Sequence, residues 1–372
     1  MESYFSKKDT NIVKGVAIII MMLHHCFLSA NRFDKFAVDF FPLSQNLVIA
    51  MARAGKCCVG IFTFLSAYGL TRSYMKQEKE YGSLGESKMA EKFVLRRCIN
   101  LLSGFWFVYL VAFIGSCFLS KMTPLAIYCG DEADAFRFLY YMLLDMLGLS
   151  RLFGTPALIN TWWYMGLALT VIFIFPIMIK VYRHYGGIVI PAMFCLFCAF
   201  QLEKTDFSRW LFLVPIGILF ADRRILEKCK EWKLHQNHLF SQIFKFGLLS
   251  ACLVLSAVFW AKNYYTKDYS TFFIDTMLTI CVVLWVYLFT ADIPVLSNIL
   301  GFLGKHSMNI FLIHSFLRVR WCPEHIYSFK NFLLIILVLL AESTALSILI
   351  EILKNHCGYL RLVQKLKTLV EK

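Results

Sequence analysis

The sequence predicts an all-α, polytopic membrane protein with about ten transmembrane helices in one bundle. Three observations predict it. Hydrophobic residues make up 59% of the 372 and charged residues only 17%, whereas a soluble domain is about half apolar and one quarter charged. Apolar runs long enough to span a bilayer recur from one end of the chain to the other. The basic residues behind the formal net charge of +14 gather between those runs, as they do in cytoplasmic loops. A nucleic-acid partner would need a basic face on a folded soluble domain, so membrane topology accounts for the charge and no nucleic acid is expected.

Taken in order, the spans fall at roughly 12–30, 47–71, 98–120, 161–180, 186–201, 208–221, 244–261, 272–291, 298–317 and 331–353. The first follows Lys7 and Lys8 but lacks a small-residue cleavage site, so it reads as a retained helix rather than a signal peptide. The spans at 186–201 and 208–221 are short and contain Pro191 and Pro215. With the N-terminus cytoplasmic, the inside stretches are about 72–97, 181–185, 222–243, 292–297 and the tail, and they hold about 24 Lys and Arg against about 14 outside. The even count of spans returns the C-terminal tail, with Lys354, Arg361, Lys365 and Lys367, to the cytoplasm. The two large basic loops, about 72–97 and 222–243, both fall inside.

Residues 121–160 combine an acidic patch (Asp131, Glu132, Asp134) with an apolar stretch, Phe136–Leu149, too short and interrupted to span. They read as an outer loop carrying an interfacial or re-entrant helix. One further span there would invert everything after it, and the inside position of Lys180 and Arg183 argues against that. Thirteen cysteines are scattered through apolar runs, and the lone CxxC spacing, Cys195–Cys198, lies inside one of those runs, so neither a disulfide framework nor a metal site is expected. Without repeats or an appended soluble segment, residues 1–372 read as one membrane-embedded domain.

The residues able to carry chemistry begin in the first span, Asn11–Phe27. A helix advances about 100° and 1.5 Å per residue, so Lys14 and His25 share one stripe, about 16 Å apart. With Lys14 at the water boundary, His25 falls near the middle of a hydrocarbon core about 30 Å thick. A titratable group at that depth is a functional-site hypothesis by default, although imidazoles also serve as hydrogen-bonding glue between helices. A neutral imidazole in a dry bundle is the proton-accepting form a general base requires. His24 points about 100° away and reads as a packing or orienting residue.

Four other stretches stand out. Arg96-Arg97-Cys98-Ile99-Asn100 places two guanidinium groups where the third span begins; such a pair clamps phosphate oxygens, though basic residues there also serve as topology anchors. Ile61–Tyr68 contains Ser66, a possible hydroxyl donor or nucleophile, beside Ala67 and Gly69, small enough for close helix approach. Thr161-Trp162-Trp163-Tyr164 lies at the outer boundary, where aromatics form belts and also stack on sugar rings. Gly301–Ser315 carries His306 and His314, and Glu342 sits near the middle of the last span, where a carboxylate needs a His or Arg partner.

These segments, in this order, resemble the acyltransferase family 3 membrane proteins, which transfer acyl groups to cell-surface carbohydrates and related acceptors. The family's first helix carries a basic residue, usually Arg, then ten residues, then His; Lys14 and His25 stand there. Ile61-Phe62-Thr63-Phe64-Leu65-Ser66-Ala67-Tyr68 is similar to its F-F-x-x-S-G-[FY] segment. Arg96-Arg97-Cys98-Ile99-Asn100 is similar to R-R-x-x-R, Trp162–Pro176 to W-[FW]-x(n)-F-P, and Gly304–His314 to G-K-x-S-x-x-[IVL]-[YF]-L-x-H. Lys14 keeps the charge of the usual Arg but not its bidentate fork. Ala67 replaces the usual Gly, and Asn100 the second Arg of the basic stretch.

The resemblance implies an integral membrane O-acyltransferase with acetyl-CoA or another acyl-CoA as co-substrate and no tightly bound cofactor or metal. The implied acceptor is a hydroxyl of a cell-surface carbohydrate or lipid-linked glycan, in contact with membrane lipid. His25 would be the base, with His24, Ser66, His314 and Glu342 as supporting candidates. Lys14, Arg96, Arg97 and Asn100 would face the donor, and Trp162 and Trp163 the acceptor. The expected location is the plasma membrane, a bacterial inner membrane, with both termini cytoplasmic. Two rivals stand beside this reading: a carrier or flippase of lipid-linked sugars, and a catalytically degenerate family member kept as a scaffold. The paired broken helices typical of transporters are not evident in the sequence.

Overall fold

The computed structural model describes residues 5–81, 86–130, 132, 134–266 and 268–371. Asp131 of the acidic patch and residues 82–85 of the first basic loop lie outside them. The described chain is helical, without a strand. Its helices are α1 Lys7–Phe27, α2 Gln45–Ala54, α3 Cys57–Tyr81, α4 Glu86–Leu119, α5 Pro124–Cys129 and α6 Ala135–Met146. They continue as α7 Ser150–Phe153, α8 Trp163–Tyr185, α9 Val189–Ala199, α10 Leu213–Asp222, α11 Ile225–Glu231 and α12 His238–Lys262. The last are α13 Tyr269–Phe289, α14 Pro294–Lys305, α15 Ser307–Ser315, α16 Pro323–Ser328, α17 Phe332–His356 and α18 Tyr359–Glu371.

Among the described residues, seven helical segments are long and apolar enough to cross a membrane. They take in eight of the ten expected spans: the first three, 161–180 and 186–201 together within Asn160–Ala199, and those at 244–261, 272–291 and 331–353. The chain is therefore an all-α, multi-pass membrane protein. Three of the ten expected spans are interrupted. Residues 186–201 become a turn at Gly186–Ile188 and the short α9; residues 208–221 become a turn at Ser208–Phe212 and α10. Residues 298–317 are split at His306 into α14 and α15. The basic loops are more helical than expected: α3 runs on to Tyr81, α4 starts at Glu86, and α11 occupies part of 222–243. The described residues of 121–160 include α5, α6 and α7, and twelve-residue α6 is about 18 Å long, too short to span.

The chain forms two compact units interleaved in sequence. The first comprises 1–32, 42–76 and 174–305, and the second 33–41, 77–173 and 306–372.

In the first unit α1 starts at a capping box: the Ser6 hydroxyl accepts from the Asp9 amide at 3.2 Å and the Asp9 carboxylate from the Ser6 amide at 2.8 Å. Glu227 holds this end, accepting from the Phe5 amide at 3.1 Å and the Tyr68 hydroxyl at 3.2 Å. Further along, α1 and α14 run antiparallel with their backbones in contact at two points. A Cβ on Gly15 would collide with the Leu300 carbonyl, and one on Gly304 with the Asn11 carbonyl. Close approach of this kind is what small residues permit in membrane helices. Gly301, one turn away, has its nearest neighbour, Ile12 Cγ1, 3.9 Å from where a Cβ would sit. Gly304→Ala is therefore expected to destabilise by about 1–3 kcal/mol or more, while Gly301→Ala is neutral or slightly stabilising through helix propensity. Thermal unfolding of the two variants in detergent checks the contrast.

The second unit packs around Phe105, Tyr109, Leu158, Trp162, Ile313 and Phe316, all buried. Large apolar side chains such as Phe118, at 83% exposure, and Leu255 of the first unit, at 70%, face outward, as a surface solvated by lipid tails allows.

Candidate active site

His24 and His25 occupy the last turn of α1, so the helix carrying them ends three residues earlier than the expected span. The carbonyls of a helix's last turn lack intrahelical partners, and Arg32 supplies one. Its guanidinium donates to the His25 carbonyl at 2.6 Å and reaches the His24 carbonyl at 3.5 Å. His24 is buried and donates from Nδ1 to the carbonyl of Ala52 in α2 at 2.7 Å. That contact fixes its tautomer, because a carbonyl can only accept. Gly55, at the end of α2, lies against the His24 Cβ. The two imidazoles meet edge to face with centroids 5.2 Å apart. His24 thus packs between helices, and half-buried His25 is carried beside it.

Lys14 lies half-buried on the stripe leading to His25, at the close crossing with α14. Ser66 is exposed on α3. Close approach there is made by neither Ser66 nor Gly69 but by Ala67, whose methyl group lies against Gly217 of α10. No atom comes within 4 Å of a Cβ placed on Gly69.

The other candidates belong to the second unit. Arg96, Arg97 and Asn100 lie on one continuous helix, α4. Arg96 and Asn100 are exposed, and the half-buried Arg97 guanidinium lies 5.1 Å from the Phe93 ring centre. Trp162 is a core residue, only 2% exposed. Its indole donates to the Leu312 carbonyl at 2.9 Å, and Phe105, Tyr109 and Phe316 pack around it. Of the two tryptophans, half-buried Trp163 retains surface for an acceptor. His314 is fully buried: Nδ1 donates to the Phe311 carbonyl at 2.8 Å, and Nε2 accepts from the Ser315 hydroxyl at 3.0 Å. Glu342 accepts from Nε2 of His325, on α16, at 2.7 Å.

Several polar groups lie outside the motifs legible in the sequence. Arg32 reads as an ordinary loop cation. Asp275 lies inside the apolar α13, where an intramembrane carboxylate signals a partner; the structure pairs it with Arg209 and the Trp260 indole. In the second unit, Asp145 accepts from Tyr128 Oη at 2.7 Å, Ser150 Oγ at 3.0 Å and the Leu158 amide at 2.8 Å. It thereby anchors the segment leading into Trp162.

Burial pushes the Asp145 carboxyl up to about 6. The folded chain therefore holds a proton that the unfolded chain releases near 3.8. This contribution to stability is complete below about pH 4 and is lost as pH rises through about 6, a change on the order of 3 kcal/mol. Asp145→Asn should flatten that part of the profile. Unfolding temperatures of both proteins between pH 4 and 8 test it.

Family comparison matches residues 8–352 to the acyltransferase domain of acyltransferase family 3, and the chain belongs to that family. It is a membrane acyltransferase, acting between an acyl donor and an acceptor. No curated protein and no solved structure matches the chain.

Proposed function

We propose that the protein is an O-acyltransferase of a bacterial plasma membrane, its termini cytoplasmic, that moves an acetyl or similar acyl group from acyl-CoA to a carbohydrate hydroxyl. The acceptor is a cell-surface carbohydrate or lipid-linked glycan, and acyl-CoA is a co-substrate rather than a resident cofactor. One observation carries the reading: His25 ends the stripe that starts at Lys14, beside His24, which is itself tied to the Ala52 carbonyl. A base needs a fixed direction as well as a lone pair, and α1, held by α2 and α14, supplies one.

In the reaction His25 takes the proton of the acceptor hydroxyl as its oxygen attacks the thioester carbonyl. The tetrahedral intermediate collapses, the carbon–sulfur bond breaks, and the imidazolium returns its proton to the departing CoA sulfur. Lys14 of the first unit, and separately Arg96 and Arg97 of the second, are the candidate cations for the CoA phosphates, through charge-assisted hydrogen bonds. Asn100 adds a neutral donor, and Trp163 an aromatic face for the sugar.

The test is release of CoA thiol from acetyl-CoA by purified protein in lipid nanodiscs, with and without cell-envelope carbohydrate. Acceptor-dependent release and recovery of acylated carbohydrate are expected. Translocation of a lipid-linked sugar with no CoA released would assign the carrier function instead.

A further inference from the structure

The histidine end of α1 opens onto a cluster of cations and tyrosines in the same unit. Arg32 holds the His25 carbonyl. Arg53 directly follows Ala52, whose carbonyl holds His24. The Arg53 guanidinium lies 5.1 Å from the ring centre of Tyr265 and 5.9 Å from that of Tyr264. Lys56 Nζ lies 5.5 Å from the Tyr264 ring centre and 2.7 Å from the Asp206 carboxylate. The fields of both Arg32 and Arg53 reach the Tyr264 hydroxyl, where among the described residues the opposing carboxylate is that of Asp206. Asp275 does not offset that excess, because it is paired with Arg209.

The charge therefore stays positive beside the histidines. A guanidinium surplus next to a proton-transfer site is costly to hold by self-repulsion and is relieved when an anion arrives. Arg53 shows the need directly, since its Nε is buried and makes no hydrogen bond among the described residues. Tyr265 is 71% exposed, a flat ring of the kind that stacks on a pyranose. The loops carrying Asp206 and the two tyrosines, 202–207 and 262–271, are those the distribution of Lys and Arg assigns to the outer side.

We propose that this cluster is the acceptor subsite, and that the acceptor is an acidic glycan whose carboxylate or phosphate is received by Arg53 and Arg32 while a sugar ring stacks on Tyr265. The inference rests on the acyl-transfer reading above, but it is tested by binding alone. Arg53 sets the preference for anions, and Tyr265 contributes affinity for any sugar ring. Anchoring the charge would hold a neighbouring hydroxyl toward His25, which makes Arg53 a positioning residue rather than a catalytic one.

The experiment measures equilibrium binding to the full-length protein in nanodiscs without acyl donor. Three oligosaccharides of equal length serve as probes: one bearing uronic acids, one bearing sugar phosphodiesters, and one neutral. Wild type should bind at least one acidic chain tenfold or more tighter than the neutral one, with a preference that shrinks as salt is raised. Tighter binding of the uronate or of the phosphodiester chain identifies which acid is received, and either supports the proposal. Arg53→Gln should abolish most of the preference, and Arg53→Lys should restore part of it. Tyr265→Ala, at an exposed position that folding tolerates, should weaken all three chains about fivefold to tenfold. Equal binding of the three chains by wild type, or an undiminished preference in folded Arg53→Gln, would overturn the proposal. Neither result touches CoA release, so failure here is distinct from failure of the acyltransferase reading.

Discussion

His25→Ala is expected to lower acyl transfer by about 10²- to 10⁴-fold, the usual contribution of a positioned general base. The loss should appear in kcat while the unfolding temperature stays near that of wild type. His25 is only half-buried, and the Arg32 contact at 2.6 Å uses its backbone carbonyl, which alanine retains. His24→Ala should differ in kind. Its ring fills a buried position and satisfies the Ala52 carbonyl, so its removal is expected to cost about 1–3 kcal/mol of stability. Turnover and melting measured on both variants separate the two roles. Wild-type turnover in folded His25→Ala would remove the base from the mechanism and leave the enzyme class standing.

Asp275→Ala should produce the largest loss of stability in the chain. Asp275 and Arg209 are each only 3% exposed at the side chain and form an ion pair, and the Trp260 indole also donates to Asp275. Alanine would strand a guanidinium and an indole N–H in the interior, a change that costs about 3–5 kcal/mol. A fall in unfolding temperature on the order of 10 °C is expected. Removing both charges together, in Arg209→Met with Asp275→Leu, should recover most of that loss, because a buried pair returns little net energy over an apolar replacement. The double-mutant cycle reads the coupling directly. Additive losses would show that the two side chains act independently.

The contrast between these sites explains what could be read from the chain. The seven long spans were legible because lipid imposes a length and an unbroken apolar run. In residues 298–317 the break was legible after all, since Gly304-Lys305-His306-Ser307 interrupts the apolar run where α14 gives way to α15. The different burial of His24 and His25 followed from their 100° separation. Ala52, which fixes His24, is 28 residues away in sequence, and no local pattern announces a backbone carbonyl. Arg32 was invisible for the same reason: it acts on carbonyls, which every residue has. Asp275 was legible, since the rule that singled out Glu342 applies equally to a carboxylate in α13. Trp162 and Trp163 read alike in sequence, and only packing divides them into a core residue and a half-buried one.

The crossing of α1 and α14 also governs how the protein is made. Gly15 and Gly304 meet backbones that leave the ribosome far apart. At about 5–20 residues per second, α1 waits roughly 15–55 s in the bilayer before α14 emerges. During that interval Lys14 and the face meant for α14 lack the helix that later covers them. Chains halted before Pro294 should therefore be selective substrates for membrane quality-control proteases, with the first helix as the exposed signal.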